Sequence, residues 1–283
     1  MKRYFDGYAT ALKNQQFERL YIDAFAGSGE RQDSRPAGNS LPLFEEDAEE
    51  FSKSKEGSAR IALRIEPPFH RYIFIERSSL HMAGLTALRS EFPYRNIELR
   101  QGDANNELLL ICKSVNWRST RAAVFLDPYG MELRWSTLNE LAATEAVDIA
   151  LLFPTGPLNR MLTKNGIIPE EWQSRIDDHL GPCGWRDACY AQQTSIDLFG
   201  YAAPASKLLN VQGLENFVQE RLKGLFPHVC EQTLSLENSK GSVLYHLFII
   251  CANPSKKAGE IAMRIARSAI RPRHKKHKNN GLL

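Results

Sequence analysis

Residues 21–30 read Tyr-Ile-Asp-Ala-Phe-Ala-Gly-Ser-Gly-Glu, and the rest of the chain is best read outward from them. The apolar run over 20–26 predicts a strand, which passes directly into a turn holding Gly27 and Gly29. Glycine tolerates φ > 0 and adds no Cβ, so backbone N–H groups in such a turn can approach a ligand closely. The ligand then belongs at the C-terminal end of this strand, where open α/β sheets bind cofactors at the reversal of strand order. Taken alone, the stretch also fits a plain strand-to-loop turn. It is not a dinucleotide fingerprint, because the third glycine of that pattern would fall at Gln32.

Three further strand ends carry acids. Residues 71–76 form an apolar run closed by Glu76, residues 97–101 precede Gly102-Asp103-Ala104-Asn105, and residues 122–126 lead into Asp127-Pro128-Tyr129-Gly130. With Asp23, this puts four carboxylates along one edge of one sheet. Glu76 stands where a ribose diol would be held by two hydrogen bonds, or it simply neighbours a helix N-cap at Ser78. Asp103 either receives an adenine amine or caps the helix that follows. The run over 122–126 is apolar throughout, as a strand covered on both faces should be. At its end, an acid, proline-flanked carbonyls and an aromatic face suit a planar base bearing an amino group. The alternative there is a β-turn with a core tyrosine.

Residues 3–18, with Tyr4, Phe5, Tyr8 and Leu12 at helical spacing, predict a helix across the first strand. The polar stretch 31–40 contains Pro36 and Gly38 and predicts a loop over the glycine turn. Glu45, Glu46, Asp47, Glu49 and Glu50 read as a solvated face rather than a metal site, and 53–60 as a flexible connection. Leu80, Leu85 and Leu88 mark the helix after the second strand. A fifth strand covers 146–153, and 206–225 contains an amphipathic helix. Residues 229–236 and 243–252 form a hairpin whose turn bears Gly241, so the sheet closes with an antiparallel strand. A last helix over 254–270, with Ile261, Ile265 and Ala269 on one face, packs on it. The organisation expected is therefore 1–153 as N-terminal helix and cofactor-binding half, 154–227 as helical insertion, 228–270 as closing hairpin and helix, and 271–283 as a basic tail.

With 283 residues, 43% of them hydrophobic, the chain can bury a large core. It has no run of 18 apolar residues, and Met1-Lys2-Arg3 opens a polar segment, so a soluble cytoplasmic protein without membrane contact is expected. The five cysteines, Cys112, Cys183, Cys189, Cys230 and Cys251, contain no CxxC pair and read as reduced thiols, with no metal site. The net charge of +3 is unevenly spread: residues 255–283 hold nine Lys and Arg against one acid, leaving 27 against 32 on residues 1–254. Arg271, Arg273, Lys275, Lys276 and Lys278 form a cationic arm able to release counterions from a nucleic acid, or a solvated tail without a partner.

Five strand–helix units followed by an antiparallel hairpin resemble the class I S-adenosylmethionine-dependent methyltransferase fold, a Rossmann-like sheet of order 3-2-1-4-5-7-6 with an antiparallel last strand. Phe25-Ala26-Gly27-Ser28-Gly29 is similar to the FxGxG form of its motif I. Asp127-Pro128-Tyr129 is similar to the (D/N)PP(Y/F) motif IV of enzymes that methylate exocyclic amines of nucleic-acid bases. More narrowly, YIDAFAGSG, FIE, GDAN and FLDPYG, with Trp135 after the last, resemble the three-Cys-motif partner (TcmP) family. That family is recognised by a neighbouring gene for a protein with a three-cysteine motif.

The resemblance implies S-adenosylmethionine as cofactor. Asp23, Phe25, Ala26, Gly27 and Gly29 would surround its methionine part, Glu76 its ribose, and Asp103 and Ala104 its adenine. Asp127, Pro128 and Tyr129 would receive the acceptor amine. The second proline of motif IV is replaced by Tyr129, followed by Gly130, and a polar insertion follows Gly29. A second reading keeps the pocket without turnover, in a protein that binds nucleic acid or the three-cysteine partner. A nicotinamide-dependent oxidoreductase is disfavoured by the missing third glycine.

Overall fold

The computed structural model describes residues 1–29, 57–191 and 205–271. Expectations for the loop and acidic stretch of 31–51, for 53–56 of the flexible connection, and for Arg273, Lys275, Lys276 and Lys278 lie outside the described residues; the rest of that connection is corrected, since 58–60 open a helix whose Ala59, Ala62 and Leu63 are buried in the core.

The strands are β1 (Glu18–Asp23), β2 (Arg71–Glu76), β3 (Ile97–Gln101), β4 (Thr120–Leu126), β5 (Val147–Phe153), β6 (His228–Val229), β7 (Leu234–Glu237) and β8 (Val243–Cys251). They make one sheet in the order β3-β2-β1-β4-β5-β8-β6, with β7 also on β8. β1 to β5 are mutually parallel, and β8 runs antiparallel to β5. β6 and β7 are two pieces of one broken edge strand: His228 and Val229 pair with Cys251 and Ile250, and Leu234 to Glu237 with Leu247 to Val243. Counting those pieces as one gives the expected Rossmann-like order. The expected continuous strand over 229–236 is thus corrected. Its middle leaves the ladder after the Cys230 N–H bonds to Ile249, and a register shift follows at Leu236 and Glu237.

The helices are α1 (Lys2–Leu12), α2 (Ser58–Leu63), α3 (Ser79–Glu91), α4 (Ala104–Ser114), α5 (Trp135–Ala143), α6 (Thr155–Met161), α7 (Glu170–Leu180), α8 (Trp185–Cys189), α9 (Val211–Leu225) and α10 (Lys256–Ile270). Because strand side chains alternate, the sheet has two separate cores. Leu20, Ile22, Ile73, Ile75, Val124 and Leu126 face Trp135, Leu138, Leu141 and Leu108. Tyr21, Tyr72, Phe74 and Phe125 face the other way, onto Tyr4, Phe5, Tyr8 and Leu63. There Phe5 meets Tyr21 edge-on at 5.5 Å and Tyr8 stacks on Phe69 at 6.0 Å. Each fully buried aromatic or aliphatic side chain of this kind contributes about 2 kcal/mol.

Three helix expectations are corrected. α1 ends at Leu12 rather than at 18, since Lys13 to Gln16 offer nothing apolar to the sheet. In α3, Leu85 and Leu88 are buried but Leu80 is 70% exposed, because five residues of helix turn it about 140° from Leu85. In α10 the buried stripe is Gly259, Ala262 and Ala266, with Ile265 and Ala269 only partly buried. Small residues let this helix approach: a Cβ on Gly259 would sit 2.3 Å from the His228 ring. No described helix is long and apolar enough to cross a membrane.

α6 starts directly after β5 and presses its backbone against the start of β8. A Cβ on Gly156 would come within 2.2 Å of the Val243 carbonyl and 3.0 Å of Leu244 Cα. Neither atom can retreat without breaking the ladder, so Gly156→Ala is expected to lose about 2–3 kcal/mol in urea unfolding.

Candidate active site

β1 ends between its two neighbours, with Asp23 level with Phe74 on one side and Phe125 on the other. Beyond it the chain stays attached to both: the Ala24 N–H donates to Phe125 O (3.2 Å) and the Ala26 N–H to Ile75 O (3.0 Å). Gly27 and Gly29 then adopt φ of +61° and +76°. They do different jobs. A Cβ on Gly29 would strike Leu88 at 2.7 Å, so Gly29 packs the turn onto α3, whereas Gly27 has nothing among the described residues within 4 Å of its Cβ position. α3 answers with Gly84, where a Cβ would lie 2.6 Å from the Ser28 carbonyl. Phe25 is partly buried and Ala26 fully so.

Glu76 reaches across from β2 to hold this turn. Its Oε2 accepts from the Gly27 N–H (2.9 Å), its Oε1 from the Ser78 N–H (2.7 Å), and His81 Nδ1 stands 3.5 Å from Oε1. The Gly102 N–H bonds to the Glu76 backbone carbonyl (3.1 Å), tying the β3 turn to the same point. Asp103 is the N-cap of α4, its Oδ1 accepting from the Asn106 N–H at 3.2 Å, and Ala104 is buried beneath it.

Asp23 is wholly buried. Its Oδ1 accepts from the Phe25 N–H (3.3 Å), while Oδ2 has no partner among the described residues. Burial raises its pKa to about 7; the Ser58 hydroxyl and the Phe25 N–H oppose this, and the negative fields of Asp127 and Glu76 add to it. These two fields place the acids of β1, β2 and β4 in one electrostatic neighbourhood, as the strand order requires.

After β4, Asp127 is part-buried, Pro128 buried and Tyr129 half-buried against the core, and Gly130 turns the chain at φ +58°. Two side chains clamp the loop that follows. Asn105 donates from Nδ2 to Glu132 O (2.9 Å), and its Oδ1 accepts from the Arg134 N–H (2.9 Å) and the Thr137 hydroxyl (2.8 Å). From α7, buried His179 places Nδ1 2.7 Å from Leu133 O, with Phe153 packed 4.5 Å from its ring. Burial lowers the His179 pKa to about 4. The ring is therefore neutral at physiological pH, with its proton on Nδ1.

Asp23, Gly27, Glu76, Asp103 and Asp127 thus lie on adjoining strand ends, with Asp103 one strand further out. Residue reading missed Asn105, His81, Gly84 and His179. Asn105 stood inside a noted motif, and a glycine within a predicted helix was a usable signal for Gly84. His81 and His179 carried none, since their partners are distant in sequence.

No family model matches this chain, and no curated protein does. Among solved structures, it is similar to a Legionella pneumophila protein of the DUF519 family, with 12% identity, 95% of this chain and 89% of that one covered, and a TM-score of 0.49. It is also similar to an O-methyltransferase from Bacillus cereus in complex with SAH, with 14% identity, 88% and 80% covered, and a TM-score of 0.37. Both likenesses are distant.

The buried Asp23 has a consequence for stability. In the unfolded chain it titrates near 3.8 and in the folded one near 7. Between these values the folded state binds more protons, so stability falls as pH rises from about 4 to 7 and stays reduced above. Asp23→Asn removes this term. Its melting temperature relative to wild type is expected to climb between pH 5 and pH 8, and a pH-independent difference would contradict the buried acid.

Proposed function

We propose that this protein is an S-adenosylmethionine-dependent methyltransferase of the TcmP type, acting on an exocyclic amine of a nucleic-acid base. The observation that carries the reading is Gly27. It sits at positive φ at the end of the central strand, where strand order reverses, with no described residue within 4 Å of its Cβ position and an acid from the next strand on its N–H.

The residues present fit the cofactor. Glu76 has about four lone-pair sites, of which two N–H groups take one each, so it keeps capacity for a ribose diol. Asp23 Oδ2 is an enclosed acceptor without a donor among the described residues, and a cationic ammonium nearby would draw this carboxyl to its ionised form. Asp103 and Ala104, at the adjoining strand end, would flank the adenine. When bound, S-adenosylmethionine supplies an electrophilic sulfonium methyl. The chain's own part is orientation and exclusion of water. Asp127 and the Pro128 carbonyl accept the N–H bonds of the acceptor amine, which turns the nitrogen lone pair outward, and Tyr129 stacks on the base. Asn105 and His179 hold the loop after it in place.

Calorimetric titration with S-adenosylmethionine and S-adenosylhomocysteine tests this reading. Saturable binding is expected for the wild type and its loss for Gly27→Arg. Asp127→Ala should bind cofactor within about threefold of wild type but transfer no methyl to RNA or DNA. Absence of binding at millimolar ligand would leave a non-catalytic partner protein on the same scaffold, and full activity in Asp127→Ala would remove that residue from the acceptor site.

Two partners belong to this reading: a nucleic acid held by Arg271, Arg273, Lys275, Lys276 and Lys278, and a three-cysteine-motif protein. Deleting residues 271–283 should weaken RNA or DNA binding and flatten its dependence on log salt by about four. An unchanged slope would exclude the arm as the contact.

A further inference from the structure

The outward face of α10 carries charge that its own helix does not balance. At 3.6 residues per turn, Lys256, Lys257, Arg264, Arg267 and Arg271 fall within an arc of about 100°, with Glu260 as the one acid among them. All six are exposed. Lys257, Arg264 and Arg271 recur every seventh residue and make a row with about 10.5 Å between steps. None of the five cations is ion-paired among the described residues.

α1 lies alongside. Arg3 donates to the carbonyls of Ala269 (3.4 Å) and Arg271 (3.1 Å), and Gly7 is so close to Ile265 that a Cβ would be 2.5 Å from its Cγ2. Along this contact runs a surface groove of about 570 Å³, lined by Arg3, Asp6, Arg264 and Ser268. Asp6 is taken up by Lys2, whose Nζ stands 2.8 Å from its Oδ2. Two guanidiniums and a hydroxyl are left to the groove, and charge-assisted bonds from Arg match a phosphate group.

A row of unpaired cations calls for a polyanion rather than a single small anion. It is also local, since residues 1–254 hold 27 Lys and Arg against 32 acids. A lipid surface fits less well. A helix that lies in a membrane interface turns an apolar stripe outward, whereas α10 buries Gly259, Ala262 and Ala266 and packs Ile265 on Gly7.

We propose that the exposed face of α10, with Arg3 beside it, is a structured phosphate-binding surface that follows the backbone of a nucleic acid, one phosphate seated in the groove between Arg3 and Arg264. It rests on the nucleic-acid reading above and extends it: the folded helix, and not only the arm that continues from Arg271, holds the strand. Phosphate contacts of this kind position a strand without reading its sequence.

The test is fluorescence-anisotropy titration of the full chain with labelled single-stranded RNA and DNA of about 20 nucleotides, over about 50 to 200 mM salt. Arg264→Gln/Arg267→Gln is expected to weaken binding at least about fivefold at the lowest salt and to reduce the slope of log K against log salt by about 1.4, the worth of two phosphate contacts on a single strand. Lys113→Gln/Lys164→Gln removes the same charge from exposed positions beside the other core and should change neither. Both variants should keep the wild-type melting temperature. A wild type that binds neither probe would overturn the nucleic-acid reading and this surface with it. Binding unchanged in Arg264→Gln/Arg267→Gln, or an equal loss in the two variants, would overturn this surface alone. Vesicles of phosphatidylserine and phosphatidylcholine bound more tightly than either probe would give the face to a lipid surface instead.

Discussion

One carboxylate organises the C-terminal edge of the parallel strands. Glu76 closes β2, accepts from the N–H of Gly27 in the glycine turn and from the N–H of Ser78 where α3 begins. Hydrogen bonds to a charged acceptor are each worth about 1.5–3 kcal/mol, enough to hold a turn that has left its own strand. Strand end, turn and helix start are thereby fixed to one another. The packing agrees with the tie: Gly29 against Leu88 and Gly84 against Ser28 allow the turn to lie on α3 at a distance that side chains would forbid.

Two acids with raised pKa mark the two ends of the sheet, and their surroundings set them apart. Asp23 is flanked by other acids, Asp127 and Glu76, and titrates near 7. Asp148 is flanked by hydroxyl and thiol donors from Tyr4 and Cys251 and titrates near 6. Desolvation is the main cause in both. Each folded-state pKa is raised, so each lowers stability at neutral pH.

Much of the fold was legible. The second and third strands agree with expectation residue for residue, because short apolar runs bounded by turns and closed by an acid have few other ways to fold. Errors gathered where a local pattern met a neighbour. Leu80 is apolar but out of helical phase with Leu85 and is exposed, and the sixth strand breaks although its composition permits continuity. Small residues rather than isoleucines line the closest face of α10, because approach distance there is governed by His228. Asn105 and His179 clamp the loop after Asp127 through partners 27 to 46 positions away. No window of sequence contains both ends of such a bond.

The sequence by itself determined the repeated strand-and-turn units, the glycines at the first turn and the acids at the first four strand ends, because period, turn chemistry and burial are local properties. Only the tertiary structure decided which acid holds which turn, that Asp103 spends its carboxylate on a helix cap, and that Tyr4 and Cys251 flank Asp148. Those outcomes depend on strand order and helix approach, which bring together groups separated by tens of residues, and it is their distance and shared desolvation that give them chemistry.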